Sequence, residues 1–146
     1  MTVNSDSLVG VNLECAMLHR ALLECADMRG ANLNRAFLRG AIMASADLSD
    51  ADLTAADLRV ANLVNARLRR AILRNCELAG VDFERADLTN ADLKGSDVGG
   101  ASFERAILNG ANMLCARLSD ASFAGCQYDD ETIWPPGFSP PVRSTL

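Results

Sequence analysis

Every fifth residue from Leu8 to Tyr128 is large and apolar, and two positions before nearly every one sits Ala or another small side chain. The run opens Leu8, Leu13, Leu18, Leu23, Met28, Leu33 and closes Met113, Leu118, Phe123, Tyr128, with no polar interruption. A period of five matches neither the roughly 3.6 of a helix nor the period of about 2 of a simple strand. On an α-helix it would step the apolar groups around the surface by about 140° each time and form no stripe. Helix is therefore excluded, despite the abundant Ala and Leu. The pattern predicts an all-β solenoid in which each pentapeptide forms one short extended side ending in a turn, with the same slot always pointing inward.

The number of sides per coil can be asked of the repeat's own irregularities, which recur at a spacing of twenty. Phe83, Phe103 and Phe123 replace Leu in the core slot, and Glu-Arg follows at Glu84-Arg85 and again at Glu104-Arg105. If residues twenty apart stack, each coil has four sides and a square section, with rungs about 4.8 Å apart. The three phenylalanines would then stack along one inner wall.

The units Ala31-Asn32-Leu33, Ala46-Asp47-Leu48, Ala51-Asp52-Leu53, Ala56-Asp57-Leu58, Ala86-Asp87-Leu88 and Ala91-Asp92-Leu93 match the pattern A(D/N)LXX. In these units the chain resembles the pentapeptide-repeat proteins over roughly residues 8 to 128. The resemblance implies a right-handed quadrilateral β-helix of about six coils. Val11, Cys76, Val81, Ser96 and Cys126 depart from Ala but keep the small slot small. Ser96 to Gly100 is the loosest stretch, with a polar inward residue beside Gly99-Gly100, and a local distortion is expected there. The last slot of the unit holds Gly, Asn or Asp at many positions, as a turn with unusual backbone dihedrals requires.

Three segments follow: a short N-terminal piece (1–7), the repeat (8–128) and a C-terminal capping segment (129–146). After Tyr128 the period stops, and Trp134 and Phe138 are expected to form a lid on the last coil, its path set by Pro135 and Pro136. No two prolines have PxxP spacing, which argues against a proline-rich ligand. The N-terminal side has no comparable lid.

At 146 residues and net charge −5, the chain fits one domain without the clustered basic charge of a non-specific nucleic-acid binder. It shows neither a secretory signal nor a run of about 20 apolar residues, so a cytoplasmic location without membrane contact is expected. Cys15, Cys25, Cys76, Cys115 and Cys126 are odd in number and lack CxxC spacing, which suits free thiols in a reducing compartment. Cys76 and Cys126 fall in the small inward slot, and Cys15, Cys25 and Cys115 in outward ones. His19, the single histidine, has no nucleophile in register. The outward Asp side chains do not converge. Catalysis, a metal site and a bound cofactor are accordingly not expected.

One feature is explained by neither core, corner nor solvated surface. The outward slot, usually Asp or Asn, holds Met17, Leu22, Phe37 and Ile42. Stacking by twenty places Met17 beside Phe37 and Leu22 beside Ile42 on adjacent faces, an exposed apolar patch of the kind that marks interaction sites. A non-enzymatic protein-interaction module is expected, with an unidentified protein as partner and a homodimer as the simplest form; cover of the patch by the N-terminal segment, or simple tolerance of it, is the other reading. The alternative is a mimic of duplex DNA directed at a type II topoisomerase, as some gyrase-protecting relatives of the family are. That role needs broad acidic faces. Here the row Asp57, Glu77, Asp97 is short and interleaved with Arg39 and Arg59, Arg67, Arg69, Arg70 and Arg74 cluster near the middle, and the repeat is expected to run without interruption.

Overall fold

The computed structural model describes residues 7–143, so the expected N-terminal segment lies outside it except for Ser7. No continuous strand forms among them. Each pentapeptide instead contributes one bridging residue, the outward one just before the core residue, and pairs in parallel with its counterpart twenty positions on. The ladders start at Asn12, Met17, Leu22 and Asp27 and climb in these steps, as in Asn12, Asn32, Asp52, Ile72, Asp92 and Asn112. Two hydrogen bonds hold each rung: the Asn32 N–H donates to Val11 O at 2.9 Å, and the Leu13 N–H donates to Asn32 O at 2.7 Å.

The core slot is fully buried from Leu23 to Met113, with the small residue two positions earlier buried beside it. A small residue is needed there because the walls converge at each corner and leave no room for a second large group. Phe83, Phe103 and Phe123 stack with centroids 5.0 and 5.1 Å apart and planes within 12°, close to the inter-strand repeat of about 4.8 Å.

Each corner is a four-residue turn. The Ala36 N–H donates to Leu33 O at 3.0 Å, and the third turn residue, Arg35, has φ 57°. The same left-handed conformation recurs at the last slot of every unit from Gly10 to Gly110 and at Gly125, including Val60 at φ 53°, where a β-branched side chain is strained. The motif's Asp or Asn completes the turn: the Asn34 N–H donates to Asn32 Oδ1 at 3.0 Å, the Thr54 N–H to Asp52 Oδ1 at 2.9 Å, and the Thr89 N–H to Asp87 Oδ1 at 3.0 Å. The outward slot is polar because its side-chain Oδ1 accepts a turn N–H that has no other partner.

The repeat is interrupted once, contrary to the expectation from sequence. Asp97 bridges Ala116 rather than Arg117, a step of nineteen, and a 3-10 turn at Leu118–Asp120 takes up the extra residue before Ser122 regains the step of twenty from Ser102. Cys115 therefore occupies the small inward slot and Ala116 the outward one. Cys115 is not an outward thiol: its Sγ lies 3.3 Å from Leu93 O. The expected weak stretch, Ser96 to Gly100, is itself regular. Ser96 is fully buried because its hydroxyl is inserted into the turn below, accepting the Cys76 N–H at 2.9 Å and donating to Leu73 O. The disturbance falls on its neighbours, the opened turn at Leu73–Cys76 and the slipped segment stacked above.

The Asn12 ladder also runs past residue 128. Asn112 bridges Ile133, a step of twenty-one, and Thr132 is buried in the small slot with its hydroxyl donating to Leu108 O at 2.8 Å. The Gly110 N–H, which in a regular rung would reach the carbonyl of residue 129, is accepted at 3.0 Å by the Asp129 carboxylate instead. Trp134 and Phe138 pack edge-on against Phe123, at 5.6 and 5.9 Å between centroids. The Tyr128 hydroxyl donates to Pro141 O at 2.5 Å and ties the tail down.

Candidate protein-interaction site

Met17 bridges Phe37, and Leu22 bridges Ile42 on the next ladder. Met17 is 71% exposed, Leu22 44% and Phe37 40%, while Ile42 is half-buried. The two pairs do not share one apolar surface: the corner between them carries His19, Arg20, Arg39 and Gly40, which with Val60 line a shallow hollow of about 500 Å³. The His19 ring reaches back over Phe37, with centroids 5.8 Å apart.

These four slots lack the oxygen that elsewhere closes the turn. At the corresponding corners the N–H groups of His19, Glu24, Arg39 and Ala44 have no hydrogen-bond acceptor among the described residues. Ile72 and Ile107, and the polar Arg67, Glu77 and Ser122, leave single turns in the same condition, but the two isoleucines each stand alone on their wall among polar outward residues.

The arginines divide along the same line. Arg67, Arg69, Arg70 and Arg74, a basic cluster in the sequence, are matched one to one by Asp47 at 3.8 Å, Asp87 at 3.7 Å, Asp50 at 2.8 Å and Asp92 at 2.5 Å. Arg29, Arg59 and Arg117 pair with Asp27, Asp57 and Asp97. The guanidinium hydrogen bonds hold these three carboxyls below their ordinary range. Arg20, Arg35 and Arg39 make no ion pair among the described residues; Arg20 and Arg39 line the hollow beside the Met17–Phe37 pair, and Arg35 stands in the turn before Phe37. Sequence reasoning found the apolar residues but neither the vacant turn N–H groups nor the unmatched arginines. The available signal was a missing Asp or Asn in the outward slot together with Arg in the turn.

Elsewhere the surface offers little chemistry. No three His, Cys, Asp or Glu side chains converge as metal ligands among the described residues, and no helix there is long and apolar enough to cross a membrane. Cys76 and Cys115 are pushed up to about 12 by burial, far from a reactive thiolate. The hollow lined by Cys25, Asp27, Arg29, Ser45, Asp47 and Arg67 is polar, and its arginines are paired.

Solved structures carry the same architecture. The pentapeptide repeat protein Rfr23 from the cyanobacterium Cyanothece 51142 aligns with TM-score 0.62 and 30% identity over 64% of this chain and 64% of its own. HetL from Nostoc sp. strain PCC 7120, a pentapeptide repeat protein involved in heterocyst differentiation regulation, aligns with TM-score 0.54 and 28% identity over 90% of this chain and 69% of its own. This chain thus spans just under two thirds of the Cyanothece protein. No curated protein matches it. The family model for pentapeptide repeats matches in overlapping segments, 21–59, 51–90, 61–98 and 86–125. Given that match, the bridging by twenty and the inward Ala-Leu pattern, the chain belongs to the pentapeptide-repeat family, a right-handed β-helix solenoid.

Proposed function

We propose that this protein is a non-enzymatic rod of four faces and about six coils that works in the cytoplasm by contact, binding another protein through its first two circuits. The observation that carries this reading is the coincidence at Met17, Leu22, Phe37 and Ile42 of exposed apolar side chains with forfeited turn hydrogen bonds. Each substitution is unfavourable for the rod alone, since it exposes apolar surface and leaves a turn donor without its usual acceptor. Grouped on adjacent ladders, they make an uneven surface that a partner can cover. The role of HetL in regulating differentiation accords with a protein of this fold acting by contact. Capture of partners from the native host, compared between wild type, Phe37→Asp and Leu22→Asp, tests the reading. Loss of a partner with either variant is expected; a full set retained by both sinks it. Sedimentation of the same proteins identifies a second copy as the occupant if the wild type is dimeric and Phe37→Asp monomeric.

The stacked row Asp57, Glu77, Asp97 favours a second reading, a DNA mimic acting on a type II topoisomerase. Against it, Arg59 and Arg117 neutralise two of the three carboxylates. A gyrase supercoiling assay showing neither inhibition nor protection from poisons removes it.

A further inference from the structure

We infer that the occupant of this surface is an acidic segment of a protein partner, its carboxylates seated at the corner of His19, Arg20 and Arg39 and an adjoining aliphatic or aromatic side chain resting on Met17 and Phe37. The inference rests on the contact reading above and adds the partner's chemistry to it.

Two independent features point to a carboxylate. The first is charge. Among the described residues Arg20, Arg35 and Arg39 make no ion pair, Arg39 acting on Asp57 only at longer range, whereas the other ten described arginines each have a carboxylate partner. On a chain of net charge −5, Arg20 and Arg39 beside one hollow, with Arg35 in the preceding turn, form a local positive field that steers an anionic surface to this corner. The second is the turn donors. Wherever the outward slot holds Asp, its Oδ1 accepts the N–H two residues on, as Asp57 does for Arg59 at 3.2 Å while also gripping the Arg59 guanidinium at 2.8 Å. Met17 and Phe37 remove that acceptor from the turns at His19 and Arg39. A carboxylate arriving from outside meets the arrangement that Asp57 fills one circuit further on, a turn N–H beside a guanidinium.

The same charges disfavour a second copy, because an isologous contact would bring three uncompensated arginines toward the same three. They also disfavour nucleic acid, since the other ten described arginines are already paired, which leaves Lys94 as the one further described cation without an ion pair and no extended basic track among the described residues for a phosphate backbone.

The test uses the intact chain and a random dodecapeptide library displayed on phage, followed by fluorescence polarisation of the winning peptide at low and high salt. Enrichment of Asp and Glu next to Leu, Phe or Trp is expected, with affinity falling as salt rises. Phe37→Asp is expected to weaken binding at least about tenfold, and the double variant Arg20→Glu, Arg39→Glu by a similar factor. Both changes are on the outer wall, and melting temperatures no lower than that of the wild type exclude unfolding. Neutral or basic winners, no enrichment, self-association through the patch, or tighter binding of a single-stranded DNA oligomer overturns the inference. If Phe37→Asp abolishes binding while the double charge reversal leaves it intact, the contact reading stands and the acidic partner falls. If neither substitution matters, both fall.

Discussion

Gly99 lies directly under the guanidinium of Arg117: a Cβ added to Gly99 would come within 2.4 Å of the Arg117 Cζ. The guanidinium is held there by Asp97 through two hydrogen bonds of 2.7 Å. Gly99→Ala is therefore expected to push Arg117 away and break the pair. Because the pair is largely exposed, the cost is expected to be small. In an Arg117→Ala background the same Gly99→Ala change is expected to be neutral. Urea unfolding of the four proteins checks this, and an equal cost in both backgrounds refutes the steric link.

Restoring the motif in the apolar patch is expected to stabilise the rod while weakening whatever the patch binds. Met17→Asn is the cleanest case, because Met17 is mostly exposed and little burial is lost. The new side-chain oxygen accepts the vacant His19 N–H. A gain of about 0.5–1 kcal/mol is expected, read as a higher urea midpoint at unchanged slope. A lower midpoint would mean that Met17 already contributes to the fold.

Val60 occupies a left-handed turn position at φ 53°. Asn adopts that conformation far more readily than a β-branched residue. Val60→Asn is expected to raise stability by about 1 kcal/mol, checked by calorimetry. No change in melting temperature would show that Val60 recovers its strain through contact with Gly80, whose Cβ position lies 3.1 Å from Val60 Cγ1.

Thiol labelling separates the slipped register from the unbroken one. Cys15 and Cys25 are exposed and are expected to react quickly with a disulfide reagent at mildly alkaline pH. Cys76 and Cys115, pushed up to about 12 by burial, and Cys126, raised for the same reason, are expected to react only as the chain unfolds. Mass spectrometry of the labelled peptides gives the answer. Rapid labelling of Cys115 would return it to the outward slot and Ala116 to the inward one.

Asp129 caps the Gly110 N–H, and that hydrogen bond, its largest influence, holds the carboxyl below 3.8. The unfolded chain therefore takes up the proton first on acidification. The contribution of Asp129 is complete above its unfolded pKa and is lost as pH falls through its lower folded value. Asp129→Asn keeps the acceptor oxygen without the titration. Stability measured from neutral pH downward is expected to fall less steeply in acid for this variant than for wild type. Identical acid slopes would count against the cap.

The period of five made the core legible because a buried slot tolerates only a narrow class of side chain, so Leu, Phe and Ala announce themselves at each repeat. The slip at Cys115 was not legible for the same reason. Cys115 and Ala116 are both small enough for the inward slot, and what decides between them is the circuit underneath, where Gly99 leaves space for Arg117 to fold back on Asp97. The apolar half of the candidate site was visible as a break in the Asp/Asn pattern. Its polar half was hidden, because Arg39 and Arg70 look alike in a sequence. Only the neighbours each meets across the stacked rungs reveal that Arg70 has Asp50 within 2.8 Å and Arg39 has no such partner.

The hydrogen bond from each turn N–H to the outward Asp or Asn turns the exterior of this rod into part of its backbone. In most proteins a designer may rewrite exposed positions almost freely, since such changes stay within about 0.5 kcal/mol. Here every outward Asp or Asn replaced to graft a new epitope opens a corner, at about 0.5–1.5 kcal/mol each. Engineering a binding face onto this scaffold is therefore best confined to positions such as Met17 and Phe37, where no such bond remains to be lost.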